Sequence, residues 1–168
     1  MKFQYIEDFS TADLSINEKA EMLDETIWSN DFPWKDILYL AEYFDVFHLP
    51  VNTVILREGK KKSPFMGLIA KGKVLIIKED KNNKHKLLAT IPEGKTFGEM
   101  SIIDNLPSSA SVITETSIDL MVINANRFDD LMQDNPHIAN KLLFKLLKLF
   151  SARLRETSGK LVDFLEKE

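Results

Sequence analysis

The sequence predicts an α+β domain: an antiparallel β-roll with helices before and after it. Between Tyr43 and Asn124, short β-branched or aromatic runs alternate with turn residues at near-regular spacing, the pattern of a closed antiparallel sandwich or barrel. Ahead of that stretch, apolar residues recur at helical spacing behind a capping motif. After it, asparagines in capping position precede two further helical patterns, the second of them long. Helices gathered at the ends of an antiparallel sheet make the α+β class.

In chain order, residues 1–31 read as an acidic helical arm, residues 32–135 as the roll, and residues 136–168 as a C-terminal helix that forms one domain with it. Ser15-Ile16-Asn17-Glu18 has the form of a capping box, with Met22, Leu23, Ile27 and Trp28 following at helical spacing. A second helix starts at Pro33, with proline at its first position, and carries Ile37, Leu38, Leu40 and Ala41. Strands are expected at Phe44–His48, Val54–Leu56, Phe65–Ala70, Val74–Lys78, Leu87–Ile91, Ala110–Thr114 and Ile118–Ile123. Turn signals separate them at Glu58-Gly59, Lys71-Gly72, Asn82-Asn83 and Glu93-Gly94. Asn124 caps a short helix through Phe128 and Leu131, and Asn135, with Pro136 behind it, caps one that runs to the end of the chain. In that last helix Leu143, Leu147, Phe150, Leu154, Thr157, Leu161 and Phe164 step alternately by four and three, a heptad seam. Leu142, Leu146 and Leu149 widen the stripe, so one face can pack on the roll and another on a second copy.

Composition excludes several classes. A chain of 168 residues is one domain with room for an arm. It has no cysteine, so disulfides, thiolate metal sites and cysteine nucleophiles are out, which suits a cytoplasmic protein. No apolar run approaches the roughly 20 residues of a membrane span, and the start shows no signal peptide. The net charge of −4 argues against broad nucleic-acid binding. His48, on a strand, His85, in a turn, and His137, at a helix start, lack metal-ligand spacing. No G-x-S-x-G elbow or Walker-type loop is present, so neither an enzyme nor a metal site is expected. Lys141, Lys145 and Lys148 form a basic helix face that reads as solvated rather than membrane-bound, since Glu156, Asp163, Glu166 and Glu168 break the charge. Lys60-Lys61-Lys62 reads as an exposed, edge-protecting turn, with phosphate contact as the alternative.

The most informative stretch is Phe97-Gly98-Glu99-Met100-Ser101-Ile102-Ile103, followed by Pro107-Ser108-Ser109-Ala110-Ser111-Val112. It resembles the phosphate-binding cassette of cyclic nucleotide-binding domains, which reads F-G-E-(L/I)-(A/S)-L-(I/L) and then P-R-x-A-(T/S)-V. Val54–Gly59, Phe65–Val74 and Ile91–Glu99 are similar to that family's strand, hairpin and approach to the pocket, in the same order. Arg153-Leu154-Arg155-Glu156-Thr157-Ser158-Gly159-Lys160-Leu161 resembles the dimerisation helix of the catabolite activator (cAMP receptor protein) branch. The resemblance covers residues from about Phe32 to the C-terminus and implies a jelly-roll-like, double-stranded β-helix.

Physically, Gly98 permits a tight turn and Glu99–Ile103 a brief buried helix whose first amides suit a phosphate. Glu99 in a partly buried site needs a donor. The resemblance gives it a ribose 2′-hydroxyl, sets Phe97, Gly98, Glu99, Met100, Ser101, Pro107, Ser108, Ser109 and Ala110 around the ligand, and turns Thr157 and Ser158 toward an adenine edge. The chain departs from the family at Ser108, where the cassette places the arginine that pairs with the phosphate. Losing one member of a buried charge pair costs about 2–5 kcal/mol, and a serine neutralises nothing. Binding of cAMP, cGMP or another nucleotide-like ligand is therefore expected to be weak or absent, unless a lysine or Arg153 moves in. Two readings stay open for the pocket: a nucleotide-like ligand, or a cavity filled by its own side chains with Glu99 paired internally.

The leading expectation is a ligand-sensing regulatory module read out through a C-terminal helix homodimer. The alternative is a ligand-independent dimerisation or scaffold module that docks a partner protein at the acidic N-terminal arm. Activators of that branch carry a helix-turn-helix beyond this helix. The sequence ends at Glu168, so no direct DNA binding is expected of it.

Overall fold

The computed structural model describes residues 4–60, 64–82 and 84–165. The chain forms two compact units, Met1–Asp129 and Asp130–Glu168.

The first unit holds every strand among the described residues. They are β1 (Gln4–Tyr5), β2 (Asp45–Leu49), β3 (Thr53–Leu56), β4 (Phe65–Lys71), β5 (Lys73–Glu79), β6 (His85–Pro92), β7 (Thr96–Phe97), β8 (Ser111–Thr114) and β9 (Ile118–Asn124). One sheet runs β1-β3-β8-β5-β6 and the other β2-β9-β4-β7. All pairings are antiparallel except β1 on β3. This is the antiparallel roll that the sequence predicts, and each predicted strand is found within a residue or two of its expected bounds. β1 and β7 are additions: two-residue strands are too short to show an alternation. His85 opens β6 rather than sitting in the preceding turn.

The alternating strands turn Leu49, Ile55, Ile69, Val74 and Leu120 into a common core, each at most 2% exposed. Burying such a side chain contributes roughly 1.5–3 kcal/mol, which fixes the register: a one-residue slip would put the whole set in water.

Helix α1 (Ile16–Asp24) begins at the predicted box. The Glu18 amide donates to Ser15 Oγ at 3.3 Å, and the Ser15 amide returns to the Glu18 carboxylate at 2.8 Å. Hydrogen bonds from the Ser15 hydroxyl and amide hold that carboxyl below the usual range. The expectation that Ile27 and Trp28 continue this helix is corrected. It stops at Asp24, because the Thr26 hydroxyl donates to the Leu23 carbonyl at 2.7 Å and competes with the helical ladder. Ile27–Ser29 form a single 3₁₀ turn instead, with Trp28 stacked on Phe32 and edge-on to Phe44. Helix α2 (Trp34–Ala41) packs on α1. Pro33 is its extended N-cap (φ −68°, ψ 153°), one position earlier than expected.

Helix α3 (Glu99–Asp104) lies between β7 and β8. Helix α4 (Ala125–Asp134) follows β9, with Asn124 Oδ1 accepting from the Arg127 amide at 3.0 Å. Helix α5 (Pro136–Leu165) starts behind Asn135, whose Oδ1 accepts from the Ile138 amide at 3.2 Å. Both asparagine caps are as expected. Ile138, Ala139, Leu142 and Leu146 of α5 are buried, whereas Leu147, Leu154, Leu161 and Phe164 of the seam are exposed. Glu166 and Glu168 lie outside the described residues, as do Asn83, Lys61 and Lys62. Among the described residues no helix is long and apolar enough to cross a membrane.

Candidate functional site

The site is built where β7 ends. β7 pairs with β4, Phe97 opposite Gly67 and Thr96 opposite Leu68. A Cβ on Gly67 would come within 2.7 Å of the Phe97 ring, so the glycine makes the room in which that phenyl group is buried. Gly98 then adopts a left-handed conformation (φ 79°, ψ −3°), and a Cβ there would sit 2.4 Å from the Phe65 carbonyl oxygen. Only glycine fits this corner. The turn drops Glu99 to 1% exposure, where the Thr96 hydroxyl donates to its Oε1 at 2.9 Å. A carboxylate this deep requires such donors.

The six-residue α3 ends at Asn105, also left-handed, whose amide bonds the Ser101 carbonyl at 3.0 Å. The Asp104 carboxylate accepts from the Leu106 amide at 2.9 Å. Met100, Ile103 and Leu106 project into solvent. Past Pro107 the chain is stitched to the connection between β3 and β4. The Gly59 amide donates to the Ser108 carbonyl at 2.9 Å, and the Glu58 amide to Ser111 Oγ at 3.0 Å.

Between these segments lies a cleft lined by Leu56, Arg57, Lys60, Pro64, Phe65, Ser101, Leu106 and Ser108. Its volume is about 10 Å³, the space of a single water. The structure thus gathers Phe97 to Ser101 and Pro107 to Ala110 into one neighbourhood of the first unit, with Ser101 and Ser108 on the cleft itself. Thr157 and Ser158 lie on α5 in the second unit, where the Thr157 hydroxyl donates to the Arg153 carbonyl at 2.8 Å.

Arg57 is the residue that sequence reasoning passed over. It stands directly after the apolar run Val54-Ile55-Leu56 and two residues before a turn glycine, the one signal that places a cation at a strand's mouth. Elsewhere, His48 Nδ1 pairs with Asp119 Oδ1 across β2 and β9 at 2.6 Å on the exposed face. Among the described residues no group of three or more acidic or histidine side chains could hold a metal ion.

Residues 46–135 match the model of a known family, the cyclic nucleotide-binding domain. Among solved structures, a cyclic nucleotide-binding domain from Methylobacillus flagellatus superposes with a TM-score of 0.75 at 30% identity, covering 88% of this chain and 82% of that one. The catabolite activator protein of Thermus thermophilus gives 0.71 at 25% identity, covering 83% and 62%. A CRP-like cAMP-activated global transcriptional regulator of Mycobacterium tuberculosis is 29% identical over 129 residues, which is 77% of this chain and 55% of the regulator. The chain spans about half the length of the curated relatives it matches.

Proposed function

Because the chain belongs to the cyclic nucleotide-binding domain family, in its catabolite-activator branch, we propose that it is a ligand-sensing regulatory module whose pocket lies beside Glu99. The observation that carries this reading is the corner at Gly98, which sinks the Glu99 carboxylate two residues before Ser101, a residue that lines a small cleft. A buried carboxylate can accept from a sugar hydroxyl in place of Thr96, and the serines of the cleft can donate to a phosphate. The ligand is a cyclic nucleotide or a molecule of that shape, bound weakly because Ser108 offers a single hydroxyl where the family's cassette has a guanidinium. The relative from Mycobacterium tuberculosis is a transcriptional regulator, which supports reading this module as one that regulates rather than catalyses.

The output runs through α5. Leu154 is 69% and Leu161 57% exposed in the single chain, an apolar stripe that a second copy would cover. Ligand binding then favours one packing of this helix over another, which requires a difference in affinity between the two. Titration calorimetry with cAMP and cGMP tests the ligand half. Weak binding is expected, and Ser108→Arg should raise the affinity by about tenfold or more. Sedimentation equilibrium tests the dimer: Leu154→Glu should leave a folded monomer.

A second reading has its own observation in favour. The cleft holds about one water and Glu99 already has Thr96 as a donor, so the pocket can be self-filled and the module a ligand-independent dimer or partner-docking scaffold. Calorimetry with no heat for either nucleotide, in the native chain and in Ser108→Arg alike, selects that reading.

A further inference from the structure

We infer that the phosphate-facing cation of this site has been relocated: Arg57, with Lys60 beside it on the β3–β4 connection, holds the anion that the cassette itself has no charge to hold. The inference rests on the ligand-sensing reading in taking this cleft as the ligand's seat. Four observations carry it. Both cations line the same cleft as Ser101 and Ser108, together with Leu56 and Phe65. The connection that bears them is fastened to the cassette tail by the Gly59–Ser108 and Glu58–Ser111 bonds, so its position relative to Ser108 is set by the fold. The nearby acids are turned to other partners: the Glu58 carboxylate accepts from the Glu79 amide at 2.9 Å, and Asp104 from the Leu106 amide. Among the described residues, neither the Arg57 nor the Lys60 head is held in an ion pair.

The chemistry follows. A guanidinium offers a planar fork to two phosphate oxygens, and an ammonium adds a point charge. The serine hydroxyls complete the set of donors. A phosphate is larger than the present cleft, so it enters as the exposed tail gives way, and the Gly59–Ser108 bond draws the cation-bearing connection with it.

The test uses the full chain and two probes. Inorganic phosphate is titrated while the backbone amides of Gly59, Ser101 and Ser108 are followed by NMR; cAMP and cGMP are titrated by calorimetry. In the native chain phosphate should shift these amides. Arg57→Gln should weaken either probe about tenfold and Lys60→Gln about threefold. Ser108→Arg should restore affinity to the Arg57→Gln chain. Phosphate shifts that vanish in Arg57→Gln/Lys60→Gln, without nucleotide binding, support the relocated cation and remove the nucleotide reading. Nucleotide binding of equal strength in the native chain and that double variant overturns the relocation and leaves the nucleotide reading standing. A native chain that responds to neither probe overturns both.

Discussion

Residues 96–99 and residues 100–110 are neighbours held in opposite ways. The first stretch is buried and fully engaged: Thr96 and Phe97 pair with β4, Gly98 has no room for a side chain, and Glu99 is bonded inside. The second carries Met100, Ile103 and Leu106 in water, and its tail is fastened mainly by the bonds to Gly59 and Glu58. The core dictates the shape of the one; a few hydrogen bonds hold the other. Segments with little buried apolar area open at small cost. A firmly packed stretch beside a lightly held one is what the proposed sensing pocket requires.

Substitutions sharpen or break that contrast, and their expected effects run from large in the buried stretch to small in the exposed one. Phe97→Ala should lower the unfolding free energy by about 3–5 kcal/mol, measured by denaturant titration, since it empties a filled core site. Gly98→Ala should cost about 1–3 kcal/mol, through a left-handed backbone and the Phe65 carbonyl in the way of the new methyl. Thr96→Val keeps the shape and removes the hydroxyl that donates to Glu99; roughly 1 kcal/mol should be lost. Leu106→Ser should change stability by no more than about 0.5 kcal/mol. If its unfolding midpoint dropped as far as that of Phe97→Ala, the rim would be part of the core and the contrast would be void.

The roll was legible because its strands are long enough to alternate and are punctuated by turn residues, as in Val74–Lys78 behind Gly72. The asparagine caps at 124 and 135 and the box at Ser15 were legible for a local reason: cap chemistry involves residues three apart. The end of α1 was not, because a hydroxyl at Thr26 outweighed the apolar spacing that pointed through Ile27. β1 escaped notice because its partner β3 lies some fifty residues on, and only the fold shows the pairing. At the candidate site, the corner at Gly98 follows from the residue type itself, whereas Glu99, at 1% exposure, lies deeper than the partial burial expected of it. Nor does the rest of the cleft's lining follow from the sequence: Arg57 and Ser108 are distant in it, and the bond between Gly59 and Ser108 brings their segments together.

That bond also offers a handle for reporting. Lys60, next to Gly59, is exposed, and its neighbour is tethered through a main-chain link whose acceptor, the Ser108 carbonyl, stays whatever side chain stands at 108. A small environment-sensitive dye attached there would take the place of the ammonium at the cleft and register displacements of the Ser108 segment directly. The tether makes the connection between β3 and β4 a readable pointer for the pocket's edge.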